Sequence, residues 1–449
     1  NSASYSNAPE EIQNAPRVST GLFAEDTNSG PGRQLVEQQV PVIMTPDLNA
    51  ALTTPLRSGR SHFDGENENA DAIGQSDGSS PEVNNYGATS LLQDRFCDPP
   101  HLNSGAPTSG AITSPHATAA ARDHLVANAA IRRQEESFIY SNPNVLAKID
   151  FDGVAPETAL HLLELHWNRQ HLSYLVTYRP AIMDSLINGG PHINKLLLNA
   201  LYLQSSLYSD REHLRTDRCD PDTRGLVFYG RFKSLLMNHI DKPDMPTIVA
   251  LLTCGACLVP HGQQDTGWIF CGIAYRMMTN LGYHLSPTSC TDRDAGCRAS
   301  TMELEMRKRV YWGAFVSDKF QALFLGRSPE LHKDASTISC EYLDSFEELE
   351  EWKPYVDAHK PDLEGTGHQT RRAYALSTFR VLLELCFTAT RIIGSFYSIA
   401  RSPRHEAHIE SELKEIRQVL QEWTLNLPQH LHYDPLSDPV PPPHQITPQ

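Results

Sequence analysis

The sequence contains no apolar run long enough to cross a lipid bilayer, and it contains few cysteines. Its longest apolar run covers residues 248–259, whereas a membrane-spanning helix needs about 20 apolar residues. No signal peptide is visible in the sequence as it stands. Nine cysteines in 449 residues are too sparse for a disulfide scaffold, and their odd number leaves at least one thiol unpaired. A reducing compartment, the cytosol or the nucleus, is the simpler interpretation.

Positive charge is also scarce. The chain has 38 Lys and Arg residues against 54 Asp and Glu residues, which gives a formal net charge of −16, and no lysine precedes Lys148. Duplex nucleic acid is held largely through Lys and Arg at its phosphates. The acidic balance therefore argues against this chain itself coating DNA.

Composition divides the chain into three parts. Residues 1–150 are rich in Ser, Asn, Pro, Gly and acidic residues and predict a disordered polar and acidic linker, with a short helix over 118–133 where alanine is abundant. Residues 151–435 predict an all-α domain. Within that domain, residues 344–370 predict an acidic insertion. The Pro-rich tail at 436–449 predicts an extended segment.

The all-α prediction depends on apolar residues at helical spacing. Strand signals are weak, because no alternating runs of apolar and polar residues are bounded by two-residue turns. The helix predicted over 247–259 is apolar on nearly all sides, which indicates a central position. Eight helices are predicted, over residues 158–172, 193–209, 223–240, 247–259, 267–281, 303–325, 371–401 and 405–425.

One pair of cysteines has the spacing of a metal knuckle. Cys254 and Cys257 are followed by His261, but a structural zinc site needs four ligands and no second Cys-x-x-Cys pair exists. The pair also lies in the most apolar helix, where cysteine behaves as a small hydrophobic residue. We therefore expect buried core cysteines and keep a metal or redox site as the alternative.

Two further groups have side chains that could bind a metal. Three histidines recur at a spacing of five residues, which on an α-helix places them on different faces, so we expect core or solvated side chains: His161, His166 and His171. Three aspartates could hold a divalent cation, but arginines are interleaved with them and favour a solvated linker: Asp217, Asp220 and Asp222.

The most informative segment covers residues 303–329. Its acidic start is followed by basic residues, which predicts the helical i,i+4 pairs Glu303–Arg307 and Glu305–Arg309. Gly326 predicts the end of the helix, and Pro329 prevents its continuation. The pattern predicts a charged rim that fixes the packing of neighbouring helices, with a charged step at Asp318-Lys319. Its second half is expected to bury Trp312, Phe315, Val316, Phe320, Leu323 and Phe324.

This helix resembles the signature of the fungal transcription factor regulatory domain, the middle homology region of zinc binuclear-cluster regulators. The matching positions are Glu305, Arg307, Lys308, Arg309, Trp312, Asp318, Leu325, Gly326 and Arg327. Ser328 stands where the family usually has proline. Residues 163–171, 268–284 and 420–428 resemble further family elements, although Leu172 replaces a proline that is frequent there. The resemblance covers 156–433, and details at 167–171 and 318–321 are similar to regulators of the nitrogen-assimilation type.

The resemblance implies a non-enzymatic regulator of RNA polymerase II transcription that acts in the nucleus, with the matching positions in structural roles. No catalytic, cofactor-binding or metal-binding residue is assigned in this chain. Zinc and sequence-specific DNA binding are implied only for a six-cysteine module that is not present here. Because the chain also begins with Asn1, we expect a fragment. Protein partners or a small effector are implied for the domain, with no membrane contact and with homodimerisation as an open option.

Two rival interpretations remain at this level. One is an α-helical metal-dependent enzyme with an isoprenoid-synthase-like fold, whose carboxylates would have to come from Asp217–Asp222. The other is a helical scaffold with no role in DNA recognition, which predicts a gene without an upstream cysteine cluster.

Overall fold

The computed structural model describes residues 115–286, 300–355, 370–397, 406–434, 436 and 440–448. Nearly all of the regular secondary structure within these ranges is helical, so the all-α prediction is confirmed. No helix in them combines the length and the apolar composition of a bilayer-spanning segment. The helices are α1 (Pro115–Tyr140), α2 (Pro143–Leu146), α3 (Pro156–Leu165), α4 (His171–Tyr174), α5 (Arg179–Asn188), α6 (Lys195–Ser206), α7 (Leu226–Leu236), α8 (Met245–Leu258), α9 (Gln264–Asn280), α10 (Thr301–Leu325), α11 (Phe346–Leu349), α12 (Ala375–Phe396), α13 (Glu406–Leu425) and α14 (Pro443–Ile446).

Short irregular elements complete the fold. A π-helical turn, His166–Gln170, joins α3 to α4. Strands β1 (Glu351–Trp352) and β2 (Arg371–Arg372) form one antiparallel pair in the described part of the chain, with Glu351 opposite Arg372. Single 3-10 turns lie at Glu212–Leu214, Pro221–Thr223, Val259–His261, Lys333–Ala335 and Gln429–Leu431.

Helix α8 lies at the centre of the core, as its sequence predicted. All of its residues except Ala256 are buried, and it packs against α6, α9 and α10. The helix begins where the Asp244 carboxylate accepts a hydrogen bond from the N–H of Thr247 at 2.7 Å. Such a side-chain cap satisfies a backbone donor that has no partner within the helix.

Helices α8 and α9 approach each other at two glycines. A β-carbon on Gly255 would lie 2.8 Å from the carbonyl oxygen of Gly267, and one on Gly267 would lie 2.6 Å from the carbonyl oxygen of Gly255. These distances are shorter than real β-carbon contacts, so only glycine allows this backbone approach. The close crossing positions α9, and through it the packing of α10.

The structure departs from the predicted linker over residues 115–150. Helix α1 runs from Pro115 to Tyr140, well beyond the short helix expected at 118–133, and it buries Leu125, Ala129 and Glu136. Alanine content indicated only residues 118–133 of this helix, because the remainder depends on packing against the domain. The remainder of the linker prediction, residues 1–114, lies outside the described residues.

Two other segments differ from their sequence-based description. The acidic insertion at 344–370 contributes Asp344 and Glu347 to the interior and forms α11 and β1, while residues 356–369 lie outside the described part. The Pro-rich tail is not simply extended, because residues 443–446 form α14 and bury His444 and Gln445. In both segments the partners that hold the chain come from distant parts of the sequence.

Candidate functional site

The signature helix α10 carries its charges into the protein interior. Glu305, Arg309, Asp318 and Lys319 have no exposed surface, and Lys308 is 9% exposed. The expected charged rim is therefore wrong. A buried charge is tolerated only where ionic and hydrogen-bonding partners surround it, and the segments that follow α10 supply those partners.

Arg309 is the hub of the first buried cluster. Its Nη1 atom lies 2.6 Å from Oε2 of Glu347, and its Nη2 atom donates to the carbonyl oxygen of Asp344 at 3.1 Å. Its Nε atom is 3.4 Å from Oε1 of Glu305, the partner that helical spacing predicted. The planar guanidinium thus serves three acceptors at once, a geometry that lysine could not reproduce.

Glu305 binds backbone as well as side chains. Its carboxylate lies 2.8 Å from Nζ of Lys308 and accepts the N–H groups of Leu343 at 3.1 Å and Asp344 at 3.3 Å. Lys308 also donates to the carbonyl oxygen of Glu341 at 2.7 Å. The first half of α10 therefore fixes the path of residues 341–347, which present Glu347 to Arg309.

The π-helical turn brings histidines to the same cluster. His171 Nε2 lies 2.5 Å from Oε1 of Glu347, and His171 Nδ1 lies 2.8 Å from Oγ1 of Thr177. His166 Nε2 contacts the same Thr177 oxygen at 2.9 Å. The prediction that these histidines occupy different faces is wrong for His166 and His171, because the i→i+5 hydrogen bond of a π-turn aligns residues five apart. His161 is held separately by Tyr355 and Ser209, each at 2.7 Å.

Burial and neighbouring charges shift the pKa values of this cluster. Burial opposes ionisation of Glu347, but Arg309 and His171 outweigh it and hold the pKa of this carboxyl well below its usual value. Burial lowers the pKa of His166 to about 3, and the nearby His171 contributes in the same direction. The structure therefore holds His166 neutral beside an ionised Glu347.

Acid should destabilise the domain partly through His166. Between about pH 6.5 and 3 the unfolded chain binds a proton at this residue and the folded chain does not, so stability is lost as the pH falls. The contribution is at most about 1.4 kcal/mol per pH unit. Denaturant unfolding of the His166→Gln variant between pH 5 and 6.5 should show a shallower pH slope than the native chain. The exposed His332→Gln control should keep the native slope, and equal slopes for the native chain and His166→Gln would contradict this assignment.

A second buried ion pair lies further along α10. Asp318 Oδ2 is 2.8 Å from Nζ of Lys319, and its carboxylate accepts the N–H groups of Glu330 at 3.1 Å and Leu331 at 3.0 Å. Lys319 donates in turn to the carbonyl oxygen of Leu331, with its Nζ 4.2 Å from the ring centroid of Phe315. This pair ties the chain beyond Gly326 back onto the helix.

A third set of ion pairs attaches α1 to the domain. Arg179 donates to Glu136 at 3.0 Å from both Nε and Nη2, and Nη2 also contacts Glu164 at 2.8 Å. Glu136 is 2% exposed. Burial opposes its ionisation, but Arg179 and Arg133 outweigh it and lower its pKa. Arg133 also donates to Glu350 at 2.6 Å, which links α1 to the end of α11.

The remaining signature positions lie at the two ends of α10. Arg307 pairs with Glu303 at 2.5 Å, and Gly326 ends the helix with a φ of 65°. Arg327 lies over the Trp268 ring at 5.3 Å and contacts Asp265 at 2.7 Å near the surface.

The aromatic half of α10 is only partly buried. Trp312, Phe315 and Val316 are buried, and Phe320 is half-buried. Leu323 and Phe324 are 51% and 66% exposed, so their predicted burial is wrong. The last turn of α10 extends past the helices that cover its middle.

The two cysteines lie in the core, as expected, whereas His261 is exposed. Cys254 and Cys257 are buried, and burial raises the pKa of the Cys257 thiol to about 12. A thiol with such a pKa stays protonated at neutral pH, whereas a metal ligand is a thiolate. The ring of His261 donates through Nδ1 to the carbonyl oxygen of Cys257 at 2.7 Å.

The three aspartates form local turns. Asp217 and Asp220 accept the N–H groups of the residues two positions further, Cys219 and Asp222, each at 2.9 Å, a frequent arrangement in surface turns. Across the part of the chain that the structure describes, no group of three or more His, Cys, Asp or Glu residues is placed to hold a metal ion.

Sequence reasoning missed the partners of α10 and α1, namely Glu136, Arg179, Asp344 and Glu347. The only local signal was a charged residue next to buried apolar ones, as at Arg179, which precedes the apolar run 181–183. That signal shows that a charge needs a partner and does not identify it.

Comparisons with known proteins identify the family of this chain. Residues 163–424 match the family described as "Fungal specific transcription factor domain", which is more than half of the chain. This range contains all of α10 and both carboxylates that contact Arg309. No solved structure matches the chain at a significant level.

Relatives named as transcription regulators align with a large part of the chain. It is 25% identical over 286 residues to the nitrogen assimilation transcription factor nit-4 of Neurospora crassa, which covers 61% of this chain and 25% of that protein. The chain is 24% identical over 277 residues to the nitrogen assimilation transcription factor nirA of Emericella nidulans. This alignment covers 60% of the chain and 30% of that protein. An uncharacterized transcriptional regulatory protein of Schizosaccharomyces pombe is 24% identical over 280 residues. This alignment covers 62% of the chain and 43% of that protein.

In each case the chain spans less than half the length of the relative. The resemblance first drawn from the signature helix is confirmed by the family match. The chain therefore belongs to the fungal specific transcription factor domain family, whose named relatives are transcription regulators and not enzymes.

Proposed function

We propose that this chain is the regulatory region of a nuclear transcription factor that controls transcription by RNA polymerase II. Zinc and sequence-specific DNA binding belong, in this proposal, to a cysteine-cluster module outside the 449 residues. The observation that carries the proposal is the family match over residues 163–424. The acidic balance of −16 supports placing the DNA contacts elsewhere, since duplex binding draws on basic residues.

The buried clusters on α10 support a regulatory role of a specific kind. Glu305 and Arg309 of the family signature link α10 to the segment 343–347, whose Glu347 also contacts His171 at the start of α4. We therefore assign it to holding the domain in one arrangement, so that a partner meets a defined surface.

A cleft between α1 and α5 is the place we propose for a small effector. It has a volume of about 420 Å³ and is lined by both apolar and polar side chains, among them Ile139, Met183, Ile187, Arg132 and Asp184. Its volume falls in the usual range for ligand sites, about 300–1,000 Å³. A protein partner is the alternative, and a homodimer remains an option for the intact factor.

A tethering experiment tests the regulatory assignment. The chain would be fused to an unrelated DNA-binding domain in a fungal host, with a reporter gene behind the matching site. We expect the fusion to change reporter transcription relative to the DNA-binding domain alone. An Arg309→Ala fusion should lose the effect, and a fusion carrying the exposed Arg380→Ala should keep it. A folded native fusion that leaves transcription unchanged would contradict the proposal.

DNA titration and the upstream coding sequence test where the DNA contacts lie. The isolated chain should bind duplex DNA weakly, and tight salt-dependent binding would contradict the proposed location. A six-cysteine basic module encoded upstream would agree with it, whereas an immediate start codon would favour the scaffold alternative. Because two relatives are named for nitrogen assimilation, genes of that process are the first targets to examine.

A further inference from the structure

The last described residues of the chain occupy a groove in the domain. Pro441, Pro442 and Pro448 are buried, His444 is 1% exposed and Gln445 has no exposed surface. Residues 435 and 437–439 lie outside the described part. Polar side chains that are buried to this degree need hydrogen-bond partners in the domain.

The groove recognises the segment through backbone carbonyl groups. His444 Nε2 lies 2.6 Å from the carbonyl oxygen of Ala373, and because a carbonyl only accepts, Nε2 carries the hydrogen. Gln445 Nε2 donates to the same oxygen at 2.9 Å and to that of Arg372 at 3.2 Å. Adjacent side chains of the segment thus converge on one point, the junction between β2 and α12.

The walls of the groove connect it to the ionic cluster. Helix α14 contacts α4, α12, the π-turn and the 3-10 turn Gln429–Leu431. The π-turn carries His166, and α4 begins at His171, the partner of Glu347. At the same junction, the rings of Tyr374 and His430 stack with centroids 4.3 Å apart. The segment therefore covers the elements that position the histidines.

The segment enters the groove through an extended proline and continues as one helical turn. Pro442 has φ −53° and ψ 144°, and residues 443–446 form α14. Proline restricts φ in the undocked chain as well, so ordering this part of the segment costs little entropy. The segment also lies beyond residues 163–424, the range of the family match, so the family assignment does not account for it.

We propose that the groove between α4, α12 and the β2–α12 junction is a docking site for a Pro-Pro-Pro-His-Gln peptide. Its occupant in this structure is the chain's own segment 440–448, bound reversibly as a strap over the π-turn. The inference goes beyond the proposed function and does not depend on it.

Peptide exchange tests the proposal with the full chain. A fluorescent peptide of residues 439–449 would be titrated into the native chain and into the His444→Ala/Gln445→Ala variant, whose own segment is weakened. We expect the variant to bind the peptide at least about tenfold more tightly, because the lost hydrogen bonds vacate the groove. A matched variant at the exposed neighbours, Ile446→Ala/Thr447→Ala, should behave like the native chain. Equal affinity of the peptide for all three chains would overturn the proposal. So would the absence of peptide binding to a His444→Ala/Gln445→Ala variant that still unfolds cooperatively.

A second measurement needs no variant of the protein. An excess of the native peptide should raise amide hydrogen exchange at residues 444–447 of the native chain, since the peptide displaces the strap. A peptide with both substitutions should leave exchange unchanged. No increase with the native peptide, or an equal increase with both peptides, would overturn reversible docking.

Discussion

Arg309→Ala should lower the free energy of unfolding by about 3–5 kcal/mol, because removing one partner leaves buried charges uncompensated. Glu347 would lose its 2.6 Å contact, the Asp344 carbonyl would lose a donor, and both residues are buried. Denaturant unfolding followed by circular dichroism would measure the loss.

Arg380→Ala is the matched control. Its side chain is 75% exposed and pairs with Glu384 on the surface at 3.3 Å, so we expect a loss below about 1 kcal/mol. A loss for Arg309→Ala no larger than for Arg380→Ala would contradict the hub role. Combining Arg309→Met with Glu347→Gln should recover part of the stability, since an apolar replacement removes the need to pair a buried charge.

Trp312→Ala should also cost about 3–5 kcal/mol, the usual range for truncating a buried large aromatic residue. Trp312 is 3% exposed, and its ring contacts those of Tyr311, Phe315 and Phe387 with centroids 5.0 to 5.9 Å apart. Its Nε1 atom donates to the carbonyl oxygen of Ser339 at 2.9 Å. Truncation would therefore open a cavity and release the segment after α10.

Phe324 provides the comparison on the same helix. It is 66% exposed, so Phe324→Ala should change stability by no more than about 0.5 kcal/mol. Trp312→Phe should cost less than Trp312→Ala, because it keeps most of the ring contacts and loses only the hydrogen bond. An unchanged melting temperature for Trp312→Ala would contradict the buried aromatic core of α10.

The sequence allowed the helical class and the position of α8 to be predicted because both depend on local apolar patterns. The predicted bounds of α10, residues 303–325, were also close to the observed ones. Its acidic first turn and Gly326 at its end are signals that lie within the helix or directly beside it. The partners of Arg309 were not predictable, because Glu347 lies 38 residues further along the chain and periodicity carries no information across that separation. For the same reason the packing of α1 could not be predicted, because Glu136 binds Arg179, which lies 43 residues further along the chain.

The aromatic end of α10 shows a different limit. Phe320, Leu323 and Phe324 have the spacing of a buried face, yet Phe324 is largely exposed. Spacing identifies which residues share a helix face, but the length of the covering neighbour decides where burial stops.

The π-turn gives the segment His166–Gln170 a one-residue surplus relative to a continuous α-helix. On an α-helix, residues five apart are separated by about 140° around the axis, so His166 and His171 would point in different directions. The π-turn takes up the extra residue locally, so the two histidines align as residues four apart do on a continuous α-helix, about 40° around the axis. The same sequence wound as an uninterrupted α-helix would move one of them away from their shared Thr177. The contacts of this turn therefore depend on the number of residues within it as well as on their identity.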